Sequence, residues 1–208
     1  METKTIHIKD CKYNSSSRDF VGIILVALLQ GKPMNIEKLM NLIYLVDYKS
    51  VNISGSPITM LDFYVHESGP VITDVYSALM HQARRFDIQE HASLHEFINV
   101  YTSDDAEVII EPVKKYDALK FSQYELEVIA KVLEEFGDKS LTELQEITKG
   151  EGSLYHDVFK LNNLKLYFEL TEDLCSGYKI SFIPLLNTPL KKELFSMAYS
   201  THDFLSQF

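Results

Sequence analysis

Apolar positions along this chain follow two periods, and the places where one yields to the other mark the element boundaries. Spacings of three and four put side chains on one helix face, and alternation puts them on one strand face. Ser15-Ser16-Ser17 offers an N-cap for a helix from Arg18 to Gln30, which Gly31 and Pro33 end. Its centre, Ile23 to Leu29, is apolar on nearly every side, as suits a helix inside a core. Asn35 caps a second helix from Ile36 to about Ser50, with Ile36, Leu39, Leu42, Ile43 and Val46 as its stripe. Tyr44 on this helix is expected to be buried with its hydroxyl satisfied. Val51 to Pro57 reads as a loop and Ile58 to His66 as extended or irregular. Gly69-Pro70 reads as a break, with Gly69 taking an unusual φ and Pro70 opening a helix from Val71 to about Arg84.

The period then shortens. Phe97 to Tyr101 and Val108 to Ile110 flank Thr102-Ser103-Asp104-Asp105 and predict a hairpin. Ser122 with Glu125, and Ser140 with Glu143, are two capping boxes. They open helices running to Gly137 and to Thr148, the first burying Leu126, Ile129, Ala130, Leu133 and Phe136. A further turn or two covers Ser153 to Lys160. Leu164, Leu166, Phe168 and Leu170 alternate with Lys165, Tyr167 and Glu169, and Tyr178, Ile180 and Phe182 alternate likewise, which predicts a second hairpin. Thr188-Pro189 caps a last helix to about Leu205. The resulting expectation is an α+β fold, predominantly helical: a compact helical core with one or two small antiparallel β-hairpins. Residues 1–15 form a polar segment with one short strand at Thr5 to Ile8, and residues 16–208 form a single globular domain.

Composition narrows the function classes. Apolar residues make up 46% of the 208, enough for a core. Thirty Asp and Glu against 20 Lys and Arg leave a net charge of −10. That balance disfavours direct binding to polyanionic nucleic acid and suits a basic partner. Cys11 and Cys175 fit neither a metal spacing nor a disulfide framework, so both read as cytosolic thiols. The longest apolar run, Phe20 to Leu29, is too short to cross a bilayer. No membrane role is expected, and the location is read as cytoplasmic.

Candidate chemistry is thin. His91 and His95 have the i, i+4 spacing of a helical metal pair, and His66-Glu67 and His81 lie near in sequence. They lie where helix signal is weak and without an HExxH pattern, so they read as ordinary histidines. Tyr155-His156-Asp157 reads as helix surface, because adjacent helical residues point about 100° apart. Nucleophile-elbow, phosphate-loop and dinucleotide patterns are absent. No catalytic residue, metal or cofactor is assigned.

One ordered set of residues resembles a known family. The helix Ile36 to Asp47 is followed by Gly55-Ser56-Pro57-Ile58, by Phe63 through Glu67, and by Gly69-Pro70-Val71 with a helix containing Val75-Tyr76. This resembles the Panacea domain, an antitoxin-like family that includes SocA-like and phage-associated proteins. The later helices across Phe121 to Thr148 also fit, so the resemblance spans about residues 18 to 160, with the second hairpin and last helix, 161–208, beyond it. Asn41 stands where the family commonly has Lys, Tyr64-Val65 replace a small-plus-Trp pair, and Lys149-Gly150 lie near a frequent His. The resemblance implies an antitoxin that neutralises a cognate protein toxin, basic in charge, by direct binding, or an adaptor that delivers it to a protease. Asp47, Tyr48, Tyr64, His66, Glu67, Gly69 and Pro70 are the candidate partner-contact residues, with Asp47, Tyr48, His66 and Glu67 expected at the surface. Two other readings remain: a phage or mobile-element regulator acting through DNA or protein binding, and a metal-dependent hydrolase built on the histidines.

Overall fold

The computed structural model describes residues 28–83, 97–113, 115, 121–171 and 173–205. Among them are seven α-helices and six strands in two three-stranded antiparallel sheets, so the fold is α+β and predominantly helical.

One helix organises the rest. Helix α1, Ile36–Ser54, begins where the Asn35 side chain accepts hydrogen bonds from the Glu37 and Lys38 amides, which otherwise have no helical partner. It ends where Gly55 takes φ 86° and donates its amide to the Val51 carbonyl. Twelve of its 19 residues are buried, including Asn41, Asp47 and Ser50, so the expected one-sided stripe widens into burial on most sides. A helix that apolar belongs at the centre. It packs against α2 (Thr73–Ala83), α3 (Gln123–Phe136), α4 (Leu141–Lys149), α7 (Pro189–Leu205) and strands of both sheets. The contact with α7 is close enough to require glycine: a Cβ on Gly55 would lie 2.6 Å from the Lys191 backbone.

The first sheet joins β1 (Met34–Asn35), β5 (Val108–Pro112) and β4 (Ile98–Thr102) in the order β1-β5-β4. The β4–β5 pair is the hairpin expected around Thr102 to Asp105. The second sheet runs β3 (Gly69–Val71), β2 (Phe63–His66), β6 (Cys175–Ile180). Both capping boxes are formed, Ser122 with Glu125 at α3 and Ser140 with Glu143 at α4. Helix α5 spans Leu154–Leu161.

Several expectations are corrected. Gly69-Pro70-Val71 is a strand, and the helix begins only at Thr73. Pro70 is tolerated there because β3 is the edge of its sheet. Leu164–Leu170 is a helix, α6. Leu, Lys and Glu are strong helix formers, and the segment has no β-branched residue. In α6, Leu164, Tyr167 and Phe168 face inward at helical spacing, while Leu166 and Leu170 are exposed. Strand β6 therefore pairs with β2, and Phe182 lies beyond it at the start of a 3-10 turn. On α3 the fully buried residues are Val128, Ile129 and Val132, and Ala130 is exposed. Leu28 and Leu29 are buried and Gln30 is an exposed turn residue, while residues 18–27 of the first expected helix, the Thr5–Ile8 strand, His91 and His95 lie outside the described residues.

Candidate interaction site

The turn between β2 and β3 carries His66, Glu67, Gly69 and Pro70, four of the expected contact residues. Its backbone is held by distant side chains. The carbonyls of four consecutive residues each accept a side-chain donor. Ser176 Oγ reaches Val65 at 2.9 Å, Tyr155 Oη reaches His66 at 2.8 Å, Lys149 Nζ reaches Glu67 at 2.6 Å, and Gln145 Nε2 reaches Ser68 at 2.8 Å. The Glu67 amide donates to the Leu174 carbonyl. Val65 and His66 are buried, where an unpaired carbonyl costs about 1–3 kcal/mol, while Glu67 and Ser68 form the more exposed tip of the turn. Helices α4 and α5 and strand β6 supply the partners that fix the turn.

His66 is buried, with its ring 4.9 Å from that of Tyr76. Its Nδ1 accepts the Ser68 amide at 3.0 Å, so the neutral ring carries its proton on Nε2. Burial, with the Lys149 charge adding to it, brings the imidazole down to about 4. Lys149 is itself held below the usual lysine range by burial, which Glu67 opposes. Gly69 has φ +124°, and a Cβ there would lie 3.1 Å from Asn41 Oδ1. Asn41 is buried and donates Nδ2 to the Glu37 carbonyl, which leaves Oδ1 to accept from Thr148 Oγ1 at 2.5 Å.

Asp47 is fully buried, contrary to the expectation of exposure, and so is His66. The carboxylate pins the loop after α1. Oδ1 accepts the Ile58 and Thr59 amides at 2.8 and 2.9 Å, and Oδ2 accepts the Thr59 hydroxyl at 2.5 Å. Burial nevertheless dominates and pushes the carboxyl up to about 6, against those hydrogen bonds. Tyr64 is half-buried on β2, Pro70 is buried, and Glu67 is exposed. Tyr48 is half-buried one turn from Tyr44, whose buried hydroxyl has no hydrogen-bond partner among the described residues, in place of the satisfied one expected. Tyr155 is buried and not helix surface, whereas His156 and Asp157 stay partly or fully exposed.

Two clefts adjoin these residues. One, about 380 Å³, lies between α1, the end of α3 and the α4–α5 connection, lined by Tyr44, Tyr48, Phe136, Ile147, Glu135 and Glu151 among others. The other, about 360 Å³, lies beside the clamped turn, between Glu67, Lys149 and the rings of Tyr155, Phe159 and Phe168. The seven expected residues therefore divide: the turn and its flanks gather His66, Glu67, Gly69 and Pro70, Tyr64 sits half-buried on β2, Tyr48 lines the other cleft and Asp47 is internal. Among the described residues no group of three or more His, Cys, Asp and Glu is arranged to hold a metal ion.

The helix bearing Asn41, the strand turn seated on it, α4 packed against both and α3 packed against the helix form one continuous unit. The family model for the antitoxin SocA-like, Panacea domain matches residues 39–153, just over half of the chain. The chain belongs to that family. The Panacea match ends at Ser153, so two of the four turn clamps, Tyr155 and Ser176, come from outside it, while Gln145 and Lys149 lie within it. Searches of curated proteins and of solved structures gave no match.

Sequence reasoning missed the clamps. In the sequence Lys149 stands out only as a departure from the family pattern, and nothing local ties Gln145, Tyr155 or Ser176 to a turn some 80 to 110 residues earlier.

Proposed function

We propose that this protein is an antitoxin that neutralises a cognate protein toxin by binding it directly in the cytoplasm, without catalysis. The family match carries the reading. Two properties of the chain support it. The net charge of −10 suits a basic partner, which it would attract and orient on approach. Beyond the matched region, α7 exposes Leu190, Leu194 and Met197 at helical spacing, an apolar stripe of the kind that docks into a partner's groove. Among the described residues no helix is long and apolar enough to cross a membrane.

The test is co-expression. The product of the neighbouring reading frame is induced with and without this protein, and growth is followed together with co-purification. Restored growth with a recovered complex is expected. A neighbour that is harmless alone, or that remains toxic beside a well-expressed partner, counts against the reading.

A further inference from the structure

We infer that the cleft between α1, α3 and the α4–α5 connection is a receptor for an arginine side chain of a basic protein partner. The inference takes the partner's identity from the antitoxin reading and adds the chemistry and place of one contact.

Residues 122–151 carry eight Asp and Glu against three Lys, a net charge of −5, half of that of the whole chain. This stretch forms two walls of the cleft. Glu135 and Glu151 stand at its edge, both exposed. The floor between them is aromatic and aliphatic: Tyr44, Tyr48, Phe136 and Ile147, with Ile147 40% exposed. Flat rings beside carboxylates are what a guanidinium uses best. It stacks on the ring face and gives two parallel N–H bonds to a carboxylate, which an ammonium cannot do.

The site already holds one cation, as a point charge beside a ring and a carboxylate. Lys49 pairs with Glu135 Oε2 and lies 5.7 Å from the Phe136 ring centroid. That pair spends Lys49 on Glu135. Glu151 forms no ion pair or hydrogen bond among the described residues, so the cleft keeps a free carboxylate for a second cation. A cleft of about 380 Å³ has room for one long side chain and part of its backbone.

The second acidic cluster supplies an internal control. Asp104, Asp105 and Glu107 are exposed on the β4–β5 turn and line neither cleft described above. Isotope-labelled full-length protein is titrated with blocked octa-arginine and, separately, octa-lysine, and amide shifts are followed by NMR. Amides of Tyr48, Asn52 and Gly152 are expected to half-saturate at least fivefold below those of Asp104, Asp105 and Glu107 with octa-arginine, and to lose most of that preference with octa-lysine. Glu151→Gln, at an exposed position, is expected to bring cleft and turn to within twofold. Parity between them in the unaltered protein, or an undiminished cleft preference in E151Q, overturns the inference. The two claims fail separately. Growth rescue that E151K leaves untouched removes the cleft contact and keeps the antitoxin; arginine selection with no rescue by any neighbour removes the antitoxin and keeps the cleft.

Discussion

Replacing Asp47 by Asn should make the protein relatively more stable at neutral pH than at acid pH. The carboxyl moves from 3.8 to about 6 because burial costs the charged form more than its hydrogen bonds return. A raised folded value means the stabilising contribution is fully present below 3.8 and is lost as pH rises through about 6. Between pH 4 and pH 7.5 the loss amounts to about 2 kcal/mol, at 1.36 kcal/mol per unit. Asn keeps the geometry: its Oδ1 accepts the Ile58 and Thr59 amides, and its Nδ2 donates to Thr59 Oγ1. The unaltered protein will not show the effect alone, because His66 works in the opposite direction. Its value falls from 6.5 to about 4, so its contribution is present above 6.5 and is lost as pH drops through 4. The informative quantity is the difference between D47N and the unaltered protein, measured by urea unfolding at both pH values. D47N should gain about 2 kcal/mol relative to the parent on going from pH 4 to pH 7.5. An equal difference at both pH values, or one of opposite sign, refutes the reasoning.

Three further substitutions probe the same body. Tyr44→Phe removes a buried hydroxyl that has no partner among the described residues, so the thermal midpoint should rise by the equivalent of about 1 kcal/mol. Gly69→Ala forces a Cβ to 3.1 Å from Asn41 Oδ1 at a φ of +124°; urea unfolding should show a loss of about 2 kcal/mol. Tyr155→Phe leaves the His66 carbonyl without its donor and should cost about 1–2 kcal/mol, with faster hydrogen exchange across β2 and β3 as the local sign.

What the sequence made legible was whatever local chemistry decides. Ser122 with Glu125 and Ser140 with Glu143 announced their helices because a cap needs only four residues. The β4–β5 hairpin was equally readable from its flanks and turn. Leu164–Leu170 misled because seven residues alternate as well in a strand as they fit one helical face, and periodicity alone cannot choose. Pro70 misled for a related reason: proline suits a helix start and an edge strand alike, and only pairing with β2 decides. The candidate site was half legible. Gly69-Pro70-Val71 marked the turn, but not that His66 and Asp47 face inward. Burial of Asp47 depends on Ile58 and Thr59 folding back over it, and the clamps on the turn reach from α4, α5 and β6. Long-range pairing of that kind leaves no mark in a local pattern.

Binding and catalysis predict different dose dependence. The purified product of the neighbouring gene is assayed for its inhibitory activity while this protein is added in measured amounts and the incubation time is varied. A binder gives an end point at a fixed molar ratio that does not move with time. Complete neutralisation by a small fraction of an equivalent, progressing as incubation lengthens, would contradict the account.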